Sequence, residues 1–439
     1  MIKEQEQAEQ KPAVPYFDHN SPEYARDRFQ WYRNIRAEHG PVAWSPLYGG
    51  FWIVLGRKEL VEAAKDWETF SSEGVIEPET AEATAGCPVH GKGNGLFLPP
   101  RPRQVPLLEE DPPAWGITRR ALNPMFLPGP VSQWRERIQT IVDAAIDQVI
   151  ETGTVDFTAD IAEVVSTVFS LELVGIEAKD PRKLAKAMNT SSHLAADDPL
   201  WAEVNAVVGQ EAARIAEALG RQAASPTQGG NVTVIQTLLA ARAAGTDLSD
   251  EKITELAMLV LGAGFDTTAS VVGTSLMMVS ENSELRRSLI DKPESISDTF
   301  EEFLRLSAPT SGLTRTVMRD TVLGGQAMRR GDRAMLLYAA ANRDPNEFPE
   351  PDEFRVGRRT NRHVAFGSGL HRCLGAHYAQ LEFEIILTTV LRRMPDFRID
   401  AERAYKYDNI GLVDGWVTLP ATFTPGPKVG AVVPGIGPA

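Results

Sequence analysis

The chain has 439 residues, is 43% apolar by residue type, carries a net charge of -14 and contains two cysteines. An acidic balance argues against general nucleic-acid binding, which needs a basic footprint. So few cysteines in so long a chain argue against a disulfide framework and against a cysteine-rich zinc or iron-sulfur centre. Length alone allows two or three domains, and the apolar content suffices for a large core.

In chain order, residues 1–14 read as a flexible tail, polar and charged over Met1 to Pro12, without the apolar stretch of a signal peptide. Glu77 to Pro106 is the least regular part and includes Gly86-Cys87-Pro88-Val89-His90-Gly91, which reads as a loop thiol without function rather than a second metal contact. Asp111-Pro112-Pro113 opens a helix on which Trp115 and Arg119, four apart, point the same way. Trp134, Ile138, Ile141, Val142, Ala145 and Val149 line one face of the next helix.

Leu256 to Ser280 is an apolar run whose single charge is Asp266. Its length would suit a membrane span. Thr267, Thr268, Ser270, Thr274 and Ser275 beside the acid, with Gly262 and Gly264 close by and no Trp or Tyr at the ends, favour a buried central helix with a polar notch. Glu302 and Arg305, three apart, share a helix face, a common surface pair when taken alone. Short strands near the N-terminus and after Arg315 complete a mainly α (α+β) fold. From Arg355 to Cys373 the chain carries Arg355, Arg358, Arg359, Arg362 and Arg372 with no acid among them.

Within Phe366-Gly367-Ser368-Gly369-Leu370-His371-Arg372-Cys373-Leu374-Gly375, glycines surround the second cysteine and a helix over Ala376 to Leu391 follows. Glycine permits the tight turns that bring backbone close to a flat ligand. A cysteine near a helix N-terminus is stabilised as thiolate, and a thiolate ligand pushes electron density onto haem iron. The plain alternative is a buried structural cysteine. After Pro425 the chain is rich in Gly and Pro and reads as a disordered tail without function.

The Phe366, Gly367, Gly369, His371, Cys373 and Gly375 pattern resembles the haem-binding signature of the cytochrome P450 family, and three further segments carry the same resemblance. Ala263-Gly264-Phe265-Asp266-Thr267-Thr268 is similar to the family's oxygen-activation motif, which gives Asp266 and Thr267 the acid-alcohol role in proton delivery. Glu302-Phe303-Leu304-Arg305 is similar to its Glu-x-x-Arg helix, whose role is a structural ion pair with a later arginine, here Arg358 first and Arg355 second. Trp115, Arg119, Arg315 and His371 match positions that contact the haem carboxylates; many soluble bacterial relatives carry histidine where Trp115 stands.

The resemblance covers nearly all of the chain. It makes Pro15 to Ser72 an opening helix and hairpin, Asn189 to Trp201 a flexible substrate lid, Leu419 to Thr424 a closing strand, and 15–439 a single cytochrome P450 domain, a helical bundle around a buried haem with small β-sheets. It implies a monooxygenase holding haem b (iron protoporphyrin IX) on Cys373, which inserts one atom of O2 into a small hydrophobic substrate, and the polar, charged start of the chain leads us to expect a soluble, cytoplasmic protein. Electrons would come from an iron-sulfur ferredoxin and its NAD(P)H-dependent reductase, with no nucleic-acid or membrane partner. Arg362 and Arg372 are the docking candidates for an acidic ferredoxin, and Ala263, Ser311, Leu313, Leu412 and Val413 those for the substrate pocket. A peroxide-driven haem peroxygenase would not need Asp266 and Thr267, and a haem-based ligand sensor would need neither that pair nor a basic docking face.

Overall fold

The structure, a computed structural model, describes residues 13–74, 95–98, 104–194, 198–225, 230–358 and 360–437. The Cys87 segment lies outside them. The chain divides into two compact units, and each draws on separated stretches of sequence. The first takes in the described parts of Met1–Asp111 with Thr310–Asp352 and Arg362–Arg372; the second takes in Pro112–Pro309, Glu353–Asn361 and Cys373–Ala439.

The first unit is built on a five-stranded sheet in the order Val42–Ser45, Phe51–Val54, Arg333–Leu336, Leu313–Val317, Phe70–Ser71. The first two strands form an antiparallel hairpin with Trp44 opposite Trp52, and Phe51–Val54 then pairs in parallel with Arg333–Leu336. Both of these central strands are buried at every residue, as expected where the two sheet faces are covered. Val42, Trp52, Leu60, Phe70, Val317 and Leu336 belong to the core on this sheet. The helix Pro22–His39 starts where Ser21 accepts the Tyr24 amide hydrogen, with proline at its first position. Ala13 already bridges to Trp44, and Val14 is buried.

The second unit is mostly helical. Its central helix, Asp250–Glu281, is capped by Ser249 and spans 32 residues, about 48 Å at 1.5 Å per residue. It is the one helix among the described residues that length and composition would allow to cross a membrane, and 61% of its most apolar window is buried. That burial is against Glu163–Val174, Trp201–Ala224 and Ala376–Arg393. Ile138, Ile141, Val142 and Ala145 of Arg135–Val149 are buried on the face that their spacing requires. Pro420–Thr422 lies between Thr154–Asp156 and Arg398–Ile399 in a three-stranded sheet.

Two readings of the sequence change. The start of the segment read as a flexible lid, Asn189–His193, is the last turn of the helix Pro181–His193, with Asn189 buried. The tail after Pro425 is pinned: Asp147 accepts the amide hydrogens of Val429, Gly430 and Ala431 at 3.1, 2.8 and 3.1 Å and that of Arg393 Nη2 at 2.6 Å, while Val433 and Ile436 are buried. Glycine and proline content reports the lack of regular structure, not a carboxylate some 280 residues away in sequence that satisfies the backbone.

Candidate active site

Phe366, Gly367, His371 and Arg372 belong to the first unit and Cys373 begins a segment of the second. A single 3-10 turn, Gly369–His371, leads to the cysteine, and the helix Ala376–Arg393 follows with Gly375 at its N-cap. Cys373 is exposed. It therefore stands just outside the positive end of a helix dipole, where the charged form of a thiol is favoured. Gly369 has φ +70°, and a Cβ there would lie 2.1 Å from the Ala64 carbonyl oxygen, so no side chain fits. A Cβ on Gly375 would lie 4.0 Å from Cys373 Sγ. The Phe366 ring packs 6.2 Å from that of His363, and His371 is half-buried. Arg372 and Arg362 are exposed, and the Arg362 carbonyl accepts Arg57 Nε at 2.6 Å.

Arg315, on the strand Leu313–Val317, is only 3% exposed. Its Nη1 donates to the Thr314 carbonyl at 2.8 Å, and among the described residues no carboxylate stands within ion-pair distance of it. A buried guanidinium in that state calls for an anion. In the second unit, Trp115 and Arg119 are one turn apart on Ala114–Leu122 and both are half-buried.

Asp266 lies midway along the central helix and is 8% exposed. Ser192 donates to its Oδ2 and the Tyr407 hydroxyl to its Oδ1, the latter at 3.0 Å. Burial pushes its carboxyl up to about 6, against the pull of these two donors toward the charged form. Glu163, bonded by Asn189, is pushed up to about 8 by burial and then by the charge of Asp266. Thr267 Oγ1 donates to the Ala263 carbonyl one turn back at 2.9 Å, and Ala263 itself is exposed.

Glu302 and Arg305 form a two-pronged pair, Nε to Oε2 and Nη2 to Oε1, both 2.8 Å. Arg358 Nε adds a third bond at 2.8 Å, the Arg355 amide a fourth at 2.9 Å and Asn361 Nδ2 a fifth at 3.1 Å. Burial would raise this carboxyl, but the bonds from Arg305 and Arg358 outweigh it and hold the group below the usual range. The Arg355 side chain turns instead to Glu353.

Of the pocket candidates, Ser311 and Val413 are buried, Leu313 packs against the sheet core of the first unit, and Leu412 is half-buried. Sequence reading passed over Tyr407, Glu163 and Asn361, and held Asn189 and Ser192 only as part of a lid segment. A signal for partners of Asp266 was present: Asp266, Ser270 and Thr274 recur every four residues on one face of the central helix, a polar stripe that some partner has to satisfy.

A family model described as "Cytochrome P450" matches residues 96–291 and 294–403. A steroid C26-monooxygenase of Mycolicibacterium smegmatis is 26% identical over 413 residues, 92% of this chain and 94% of that protein. The 20-oxo-5-O-mycaminosyltylactone 23-monooxygenase of Streptomyces fradiae is 30% identical over 370 residues, 84% of this chain and 82% of that protein. Among solved structures, P450BioI in complex with a hexadec-9Z-enoic acid ligated acyl carrier protein superposes with TM-score 0.77 at 25% identity, over 91% of this chain and all of that one. The cytochrome P450 PksS of Bacillus subtilis gives 0.79 at 22% identity over 93% of this chain and all of that one, a likeness of fold.

Proposed function

The chain belongs to the cytochrome P450 family, and on that premise we propose that it inserts one atom of O2 into a small, hydrophobic organic substrate with electrons from an iron-sulfur ferredoxin. Monooxygenase activity and a protoporphyrin IX haem come with the family. Residues 15–439 act as one catalytic domain. One relative is named for a steroid, which supports an apolar substrate.

The residues present fit the haem. Thiolate-bound haem iron supplies the activation of O2. Cys373 would hold the iron through its sulfur, with Gly367, Gly375 and Phe366 lining the approach; the observation that carries this is the exposed cysteine just ahead of the helix Ala376–Arg393, and the buried Arg315, which has no carboxylate partner among the described residues, supports an anionic group. Arg315 would take one haem carboxylate, with Trp115, Arg119 and His371 as the further donors. Asp266 would exchange a proton beside Thr267 on the central helix, and Thr267 would pass it on through its hydroxyl. Glu302, Arg305 and Arg358 act as a structural tie. Ala263, Ser311, Leu313, Leu412 and Val413 would meet the substrate. Exposed Arg362 and Arg372 would attract an acidic ferredoxin, so the electron-transfer rate should fall with rising salt. A cytoplasmic location is consistent with the acidic composition and the buried central helix.

The deciding experiment is the absorption spectrum of the reduced protein under carbon monoxide, with and without Cys373→Ser. A red-shifted Soret band in the wild type, absent in the variant, is expected. An unshifted band in the wild type would mean that the thiolate is absent or protonated, and would overturn the reading.

A further inference from the structure

We propose that Tyr407 and Ser192 are positioning residues for Asp266: two hydroxyls from separate parts of the second unit fix both carboxyl oxygens and so set the pH at which this acid exchanges its proton. The proposal rests on the reading of Asp266 as proton donor.

The aim of Tyr407 is built from several sides. It follows the short strand Tyr405–Lys406, which pairs with Trp416–Thr418 in a hairpin, and its amide donates to the Gly415 carbonyl at 3.1 Å. A Cβ on Gly415 would stand 2.5 Å from Tyr407 Cε2, so glycine there leaves the ring its place. The imidazole of His193 stacks on the ring, centroids 4.8 Å apart at 26°. The hairpin meets the polar stripe of the central helix at three successive turns: Tyr407 at Asp266, the Asp414 carbonyl at Ser270, and Trp416 Nε1 at Thr274, the last at 3.2 Å. Ser192 approaches from the last turn of Pro181–His193 and takes the second oxygen.

Among the described residues no cation touches the carboxyl. The charged and titratable groups around it are Glu163 on Glu163–Val174, His193 on Pro181–His193, and Tyr407, Asp408 and Asp414 on the hairpin, with Lys406 held by Asp414 at 3.1 Å. Hydroxyl donors favour the ionised form less than a guanidinium does. The acid therefore stays in a range where it both gains and loses a proton near neutrality, about 6.

The test is an infrared titration of the haem-loaded protein, following the carbonyl stretch of the protonated acid that is missing in Asp266→Asn. Tyr407→Phe keeps the ring and its stacking on His193 but removes a donor to the charged form. Its midpoint should move upward by about 1 to 2 pH units, the worth of one hydrogen bond to a charged group. Ser192→Ala should move it the same way, and Gly415→Ala should reproduce the Tyr407→Phe shift by displacing the ring. A lowered melting temperature with an unmoved midpoint in Tyr407→Phe would reduce Tyr407 to a packing residue and overturn the proposal. The pH profile of product formed per NADH in Asp266→Asn separates the two levels: an unchanged profile there removes Asp266 as donor, whatever the infrared midpoints do.

Discussion

Asp266 and Glu302 are both carboxyls on helices of the second unit, 8% and 2% exposed, yet their acidities move in opposite directions. Burial works against the charge in each. Around Glu302 the partners carry positive charge, Arg305 and Arg358 each with Nε at 2.8 Å, and the ion wins. Around Asp266 they are neutral hydroxyls with a second buried acid, Glu163, close by, and the proton is retained to about 6. The first arrangement cannot exchange a proton near neutral pH and serves as a tie. The second is poised to exchange one.

The comparison breaks most visibly at the tie. Glu302→Ala would leave Arg305 and Arg358 without their anion, and a loss of about 3 to 5 kcal/mol in urea unfolding is expected. A loss below about 1 kcal/mol would mean that the guanidiniums find other partners.

The next largest effect is the pH dependence of stability. Glu382, buried and bonded by Ser166, is raised from 4.5 to about 8, as is Glu163, and Asp266 is raised from 3.8 to about 6. A raised carboxyl binds more protons folded than unfolded, so its stability is full below the unfolded value and is lost as pH rises through the folded one. Glu302 has the opposite sign, its contribution present above 4.5 and lost as pH falls. Glu382→Gln should therefore flatten the decline between about pH 5 and 8 by about 2 to 4 kcal/mol. An identical slope in the variant would place the titration elsewhere.

Arg358→Lys keeps the charge but loses the fork that reaches both Glu302 and the Glu353 carbonyl, and should cost about 2 kcal/mol in the same assay. The smallest effect belongs to Asp266→Asn. The amide avoids the buried charge above pH 6 but fits less well between two hydroxyl donors, so stability at pH 7 should stay within about 1 kcal/mol of wild type while the yield of product per NADH falls. A large stability loss would make Asp266 a structural group like Glu302.

How much of this was legible depended on sequence distance. The Cys373 loop was readable because its glycines, its cysteine and its helix are contiguous, and the tie was readable through Glu302 and Arg305, three apart on one helix. Asn361 was not, since an amide that bonds Glu302 at 3.1 Å from 59 residues away leaves no local pattern. Tyr407 lies 141 residues from Asp266 and beside a strand of two residues, too short to show any period.

By itself the sequence determined the mainly helical fold class, the long buried central helix and the glycine-flanked Cys373 loop, because periodicity, polar notches and glycine spacing act within one or two turns of chain. Only the tertiary structure decided which buried acid is ionised, what holds Asp266, and that the glycine- and proline-rich tail is anchored on Asp147. The acidity of a buried group is set by the charges within a few ångströms, and folding brings those from anywhere in the chain.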